Sequence, residues 1–350
     1  MDKNNASTGT YYSGITLFKL LGSIMIMIFH LWTQRFITED YNYFMNVGQS
    51  VVPTFFLISG FLLYDSLNRR SNPLAYLRKR SRNYIAAFVI MQIVVLIQVY
   101  IPILLSSGIT PYLIVRYIGD VILGFSFAQL WFIPPFVLGT IISGLLFIYK
   151  KERKFLYLIV ITAIVAAAFY QFHPVWQKLL HMENNENYKY IKSLLKIPNN
   201  YITNGVFLIF TGMYLSKHKE VLKKWRIAFW LPPLIALTWL ESFVYHKVFL
   251  WSPPFNGFMM YPWALFFTVF ILKIKKPNLE RYGYVLNTFT ILMFFLHIFQ
   301  SKLIGYRLPP IVKCILIVLM NIVITLAVVT FKKILSTKRL VINNNSSGVN

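Results

Sequence analysis

The sequence predicts an all-α integral membrane protein, a bundle of about ten transmembrane helices with both termini in the cytoplasm. Three observations carry this. Of 350 residues, 57% are hydrophobic and 13% charged, where soluble domains carry about 25% charged residues; mean hydropathy is +0.58. Apolar runs near the roughly 20 residues that cross a bilayer recur along the whole chain. Most of the 35 Lys and Arg fall in alternate connections, the charge asymmetry that sets cytoplasmic loops.

The spans are read at 12–32, 46–64, 83–105, 129–149, 155–171, 201–216, 227–245, 255–272, 284–304 and 311–331. Cytoplasmic clusters are then Arg69 to Arg82, Lys150 to Lys154, Lys217 to Arg226, Lys273 to Arg281 and Lys332 to Arg339. Segment 1–11 and the tail 332–350 flank a single membrane domain, 12–331, and the tail from Val341 is expected to be disordered. The apolar segments are too many for a signal peptide, and no hydrophilic stretch is long enough for a separate globular domain. A net charge of +24 raises the question of nucleic acid. Its short clusters between spans point instead to orientation, lipid head groups or a phosphorylated cytosolic ligand.

The first span carries Lys19 and His30, eleven residues apart. Eleven helical steps return nearly to the same face about 16 Å further on, so the two lie on one line. Ionisable groups inside a span mark a substrate or proton path by default, and His30 has the chemistry of a general base; an interfacial hydrogen-bonded histidine is the plainer alternative. The second span contains Ser59-Gly60, a small surface suited to close helix approach, with no nucleophile elbow around it. Before the third span, Arg78, Arg80 and Arg82 alternate. Guanidinium groups grip phosphates by paired hydrogen bonds, and orientation signal with lipid contact is the competing reading.

Outer segment 106–128 holds a second apolar run that dips toward the membrane before Trp131. Outer segment 172–200, with His181, Glu183, Asn184 and Asn185, reads either as a lid or as a solvated loop. Pro-Pro pairs at 134–135, 232–233, 253–254 and 309–310 interrupt or border spans, tolerated where broken helices line a cavity or pack on protein. Glu241 is the one carboxylate within these spans, and His297 lies near the outer end of the ninth; both are second-rank candidates for orienting a substrate. Cys314 stands alone and reads as a small buried apolar residue, excluding a disulfide framework. No metal-ligand spacing such as H-E-x-x-H and no Walker loop is present, so no metal site or nucleotide-driven pump is expected.

Over nearly its whole length the chain resembles the acyltransferase 3 family of membrane O-acyltransferases. Lys19 and His30 match a basic residue, ten others and a histidine in that family's first span. Phe55, Phe56, Ser59, Gly60 and Phe61 match its Phe-rich stretch ending in Ser-Gly-Phe. Arg80 and Arg82 match Arg-x-Arg, with Arg78 as an alternative partner, and Leu130, Trp131 and Phe132 match Leu-Trp-Phe. Met293 to His297 match Ile-Tyr-Leu-x-His without the tyrosine, and Thr203, Asn204 and Gly205 match Thr-Arg-Asn-Gly, common in Gram-positive relatives, without the arginine.

The resemblance implies transfer of an acyl group, most often acetyl, from cytosolic acyl-CoA to a hydroxyl of an extracytoplasmic polysaccharide or lipid-linked sugar. It implies catalytic roles for His30 and Lys19, with His297 behind them; Glu241, read from its place within a span, stands with His297 as a second-rank candidate. Donor binding falls to Arg78, Arg80 and Arg82, and substrate contacts to Ser59, Trp131 and Asn204. The partners implied are membrane lipids, acyl-CoA (acetyl-CoA above all), a carbohydrate acceptor and polysaccharide-synthesis machinery, at a bacterial cell membrane. In this picture the donor's pantetheine arm threads past Lys19 to meet the acceptor at His30. An exporter of surface polysaccharide or its precursor is the rival reading, and a sensor or scaffold with a dead site a third.

Overall fold

The computed structural model describes residues 11–32, 50–108, 110–123, 130–172, 194–244, 257–275, 277–304 and 308–346, and these are helical with connecting turns. The principal helices are α1 (Ser13–Trp32), α2 (Val51–Asn68), α3 (Pro73–Val95), α4 (Ile133–Ile148), α5 (Glu152–Gln171), α6 (Leu208–Lys217), α7 (Leu231–Phe243), α8 (Met260–Lys273), α9 (Gly283–Ile304) and α10 (Pro310–Ser346). Among the described residues, five helical stretches are long and apolar enough to cross a membrane: Ser13–Leu31, Val51–Asn68, Pro73–Ser106, Glu152–Gln171 and Pro310–Ile334. Shorter apolar helices lie at Ile133–Ile148, Ile227–Phe243 and Met260–Lys273. The loop with His181, Glu183, Asn184 and Asn185, the Pro253-Pro254 pair and most of the apolar run before Trp131 lie outside the described residues.

Two boundaries differ from the sequence expectation. Helix α3 begins at Pro73, ten residues before the apolar run. The Asn72 side chain accepts a hydrogen bond from the Ala75 N–H at 2.9 Å, and Pro73 occupies the first turn, where a missing N–H costs nothing. Apolarity marks only the part of a helix that meets hydrocarbon, so a capped polar overture is invisible to it. At the other end, α10 continues to Ser346, past Val341 where disorder is expected. No Gly or Pro interrupts 311–346, and nothing in that run forces the backbone out of its helix.

The chain divides into two compact units, one of residues 1–51 and 266–350, the other of residues 52–265. In the first, α1 packs along α9 and α9 along α10. Met27, Leu31, Phe289, Met293 and Ile317 form its buried core. The start of α1 is tied down by Ser13 Oγ donating to the Ile274 carbonyl at 3.0 Å and Tyr11 OH donating to the Leu279 carbonyl at 2.8 Å.

In the second unit, Phe56, Leu57, Leu63, Leu67, Leu77, Leu208, Ile209, Met213 and Ala264 form the core. Helices α2 and α6 cross at glycines on both sides. A Cβ at Gly60 would strike the Ile209 carbonyl, and one at Gly212 would strike the Leu57 carbonyl. This is the close approach that Ser59-Gly60 suggested. A π-helical segment, Asn199–Phe207, precedes α6 and packs on α4 and α5. Ser143 Oγ donates to the Val206 carbonyl at 3.3 Å, and Thr203 Oγ1 to the Ala163 carbonyl at 3.0 Å.

Candidate functional site

Within the first unit, α1 and α9 bring His30 and His297 together. Their rings stack with centroids 5.5 Å apart and planes 19° from parallel. His297 is 1% exposed, and its Nδ1 lies 2.8 Å from the Met293 carbonyl, one turn back on α9. A carbonyl only accepts, so Nδ1 carries the hydrogen and Nε2 carries the lone pair. That Nε2 is buried and has no hydrogen-bond partner among the described residues. The pair therefore offers a basic nitrogen whose tautomer is fixed by the helix that carries it. Lys19 sits on α1, half-buried, eleven residues or about 16 Å of helix before His30.

Two buried amides accompany the histidines, and sequence reasoning passed over both. Gln300 lies three residues beyond His297 on α9, and Asn321 is on α10. Asn321 Nδ2 donates to the Ile317 carbonyl at 2.8 Å and to Gln300 Oε1 at 2.7 Å. The signal was present: Asn321 interrupts the run LMNIVI, and a polar residue amid apolar ones in a span seeks a partner.

The second unit holds the remaining candidates. Because α3 starts at Pro73, Arg78, Arg80 and Arg82 lie on regular helix, where two residues turn the side chain by about 200°. The structure accordingly separates them: Arg78 and Arg82 are exposed and Arg80 is half-buried. Arg80 Nε donates to Tyr84 OH at 2.8 Å and its Nη1 to Tyr76 OH at 3.1 Å. Its guanidinium carbon stands 5.5 Å from the Tyr84 ring centroid. These tyrosines, four residues either side on the same face, orient the fork and leave Nη2 outside both bonds. The three arginines do not converge on one point.

Glu241 belongs to this second unit too, and its carboxylate is engaged. Oε1 accepts from the Phe258 N–H at 2.6 Å and Oε2 from the Met259 N–H at 2.9 Å, so it caps the turn that opens α8. Asn204 is 1% and Asn199 0% exposed; both Oδ1 atoms lie 3.4 Å from Tyr261 OH. Ser59 is half-buried on α2, and Trp131 is half-buried in the turn before α4. An open apolar cavity of about 390 Å³ is lined in part by Ile85, Phe88, Val137 and Tyr201.

The stacked histidines of the first unit are groups suited to proton transfer, and in the second unit Arg80, held by two tyrosines, is suited to binding a phosphate. A family model described as an acyltransferase domain matches residues 12–331. The chain belongs to the acyltransferase 3 family. No curated protein and no solved structure matches it. Membership makes the chain a membrane acyltransferase.

Proposed function

We propose that this acyltransferase 3 protein moves an acyl group, most often acetyl, from cytosolic acyl-CoA to a hydroxyl of an extracytoplasmic polysaccharide or lipid-linked sugar. The observation that carries the reading is the stacked His30–His297 pair, in which His297 Nε2 has no hydrogen-bond partner among the described residues. Acyl transfer to an alcohol needs a group to take the hydroxyl proton as the oxygen attacks the thioester carbon. His30 takes that proton, and His297 lies against it as the second acceptor. Arg80 binds a donor phosphate through its guanidinium, held at the right angle by Tyr76 and Tyr84. Lys19, about 16 Å before His30 along α1, accompanies the donor's arm along that helix. Glu241 is left out of this chemistry because both its oxygens serve backbone amides.

The test is the mass of glycan released from cells that lack the protein and cells that carry it. An acetyl or succinyl increment on glycan from complemented cells supports the reading. Glycan that instead accumulates inside deletion cells, unmodified in both strains, replaces it with export. His30→Ala should abolish the increment, a loss of about 100-fold or more for a positioned general base, while the protein remains in the membrane.

A further inference from the structure

The hydrogen bonds of α9 and α10 fix more than one tautomer. Asn321 Nδ2 faces the Ile317 carbonyl, which only accepts, so that atom must be the amide nitrogen. Since it also donates to Gln300 at 2.7 Å, the Gln300 atom it meets must be oxygen. The orientation of the Gln300 amide follows: Oε1 is tied to α10, and Nε2, with both its hydrogens, faces away from that bond. Gln300 is 3% exposed, and its Nε2 has no hydrogen-bond partner among the described residues. A buried donor left without a partner is costly, so its retention asks for a reason.

The reason is its neighbour. Asn321 Nδ2 also lies 3.5 Å from Met293 Sδ, seven residues before Gln300. Helical side chains lean back toward the N-terminus, and residues three apart share a face, so Gln300 and His297 are neighbours in register on α9. Three residues apart on α9, His297 Nε2 and Gln300 Nε2 are an acceptor and a donor without a hydrogen-bond partner among the described residues. With His30 stacked on His297, this end of the unit offers what acyl transfer uses, an imidazole for the proton and a donor for the oxyanion.

We propose that Gln300 is a catalytic residue of the transfer, donating from Nε2 to the thioester carbonyl oxygen as that oxygen gains negative charge, with Asn321 as its positioning residue. The inference rests on the acyl-transfer reading above. The acceptor's hydroxyl oxygen forms the new C–O bond with the thioester carbon, and its proton passes to the His30 imidazole. The carbonyl electrons move onto the oxygen facing Gln300. Collapse of this tetrahedral intermediate restores the carbonyl and breaks the C–S bond, and the proton leaves on sulfur as the coenzyme A thiol.

The test uses the full chain purified into phospholipid vesicles, with acetyl-CoA or succinyl-CoA as donor and glycan released from cells that lack the protein as acceptor. Thiol release and product mass are read together. Gln300→Met keeps the length and loses the donor; it should lower kcat about 100-fold, the usual effect of one oxyanion donor, with KM for the donor within about two-fold. Asn321→Leu should give a smaller fall in kcat with the same unchanged KM. Binding of free coenzyme A, measured by calorimetry, should be the same in all three proteins, which a merely structural role would not preserve. An active parent chain with undiminished kcat in Gln300→Met overturns the role of Gln300, as does a fall in kcat matched by lost coenzyme A binding. A parent chain that releases no thiol from either donor overturns the acyl-transfer reading itself.

Discussion

A carboxylate inside an apolar helix invites a catalytic reading, and Glu241 shows what geometry adds to it. Both oxygens accept from backbone N–H groups, so replacing one with an amide sets a donor against a donor. Glu241→Gln should lower the stability of the solubilised protein by about 1–3 kcal/mol, seen as a lower melting temperature. The arginines divide in the same way. Arg80→Lys loses the fork held by Tyr76 and Tyr84 and should raise KM for acyl-CoA about ten-fold, the scale of one charge-assisted bond. Arg82→Ala, on the exposed side of α3, should leave KM within about two-fold. The sequence displayed all these side chains, and it also displayed the spacing that puts Lys19 and His30 on one line. It could not display their hydrogen bonds, because Gln300 meets Asn321, 21 residues on, and Glu241 meets the 258–259 turn, 17 and 18 residues on, across folds of the chain that helical spacing does not fix.

At the scale of the helix, the α2–α6 crossing rests on two absent side chains. Gly60→Ala should destabilise the protein by about 1–3 kcal/mol, because a methyl there meets the Ile209 backbone and backbone yields poorly to overpacking. Gly119→Ala is the control: nothing lies within 4 Å of the added carbon, and alanine favours helix by up to about 1 kcal/mol. Most helix positions were legible from apolar runs alone, and α1, α5 and α9 begin and end within a few residues of where those runs do. The π-helical segment at Asn199–Phe207 was not legible. Its register answers to packing against α4 and α5, and no local composition announces it. The start of α3 was written in Asn72-Pro73 but masked by the search for apolarity.

For the whole molecule, the alternation of basic connections predicts both termini in the cytoplasm. Reporter fusions after Asn350 should be active as cytosolic reporters and inactive as exported ones, and the reverse result would invert every assignment of inner and outer loops. The division into units also has a consequence for biosynthesis. The unit that holds His30 is discontinuous, built from residues 1–51 and 266–350, so α1 enters the membrane long before α9 and α10 exist. At about 5–20 residues per second the ribosome spends roughly 10–40 s on the intervening unit. The imidazole pair is thus among the last things the growing chain can assemble, and a nascent or truncated polypeptide carries its first histidine without the means to use it.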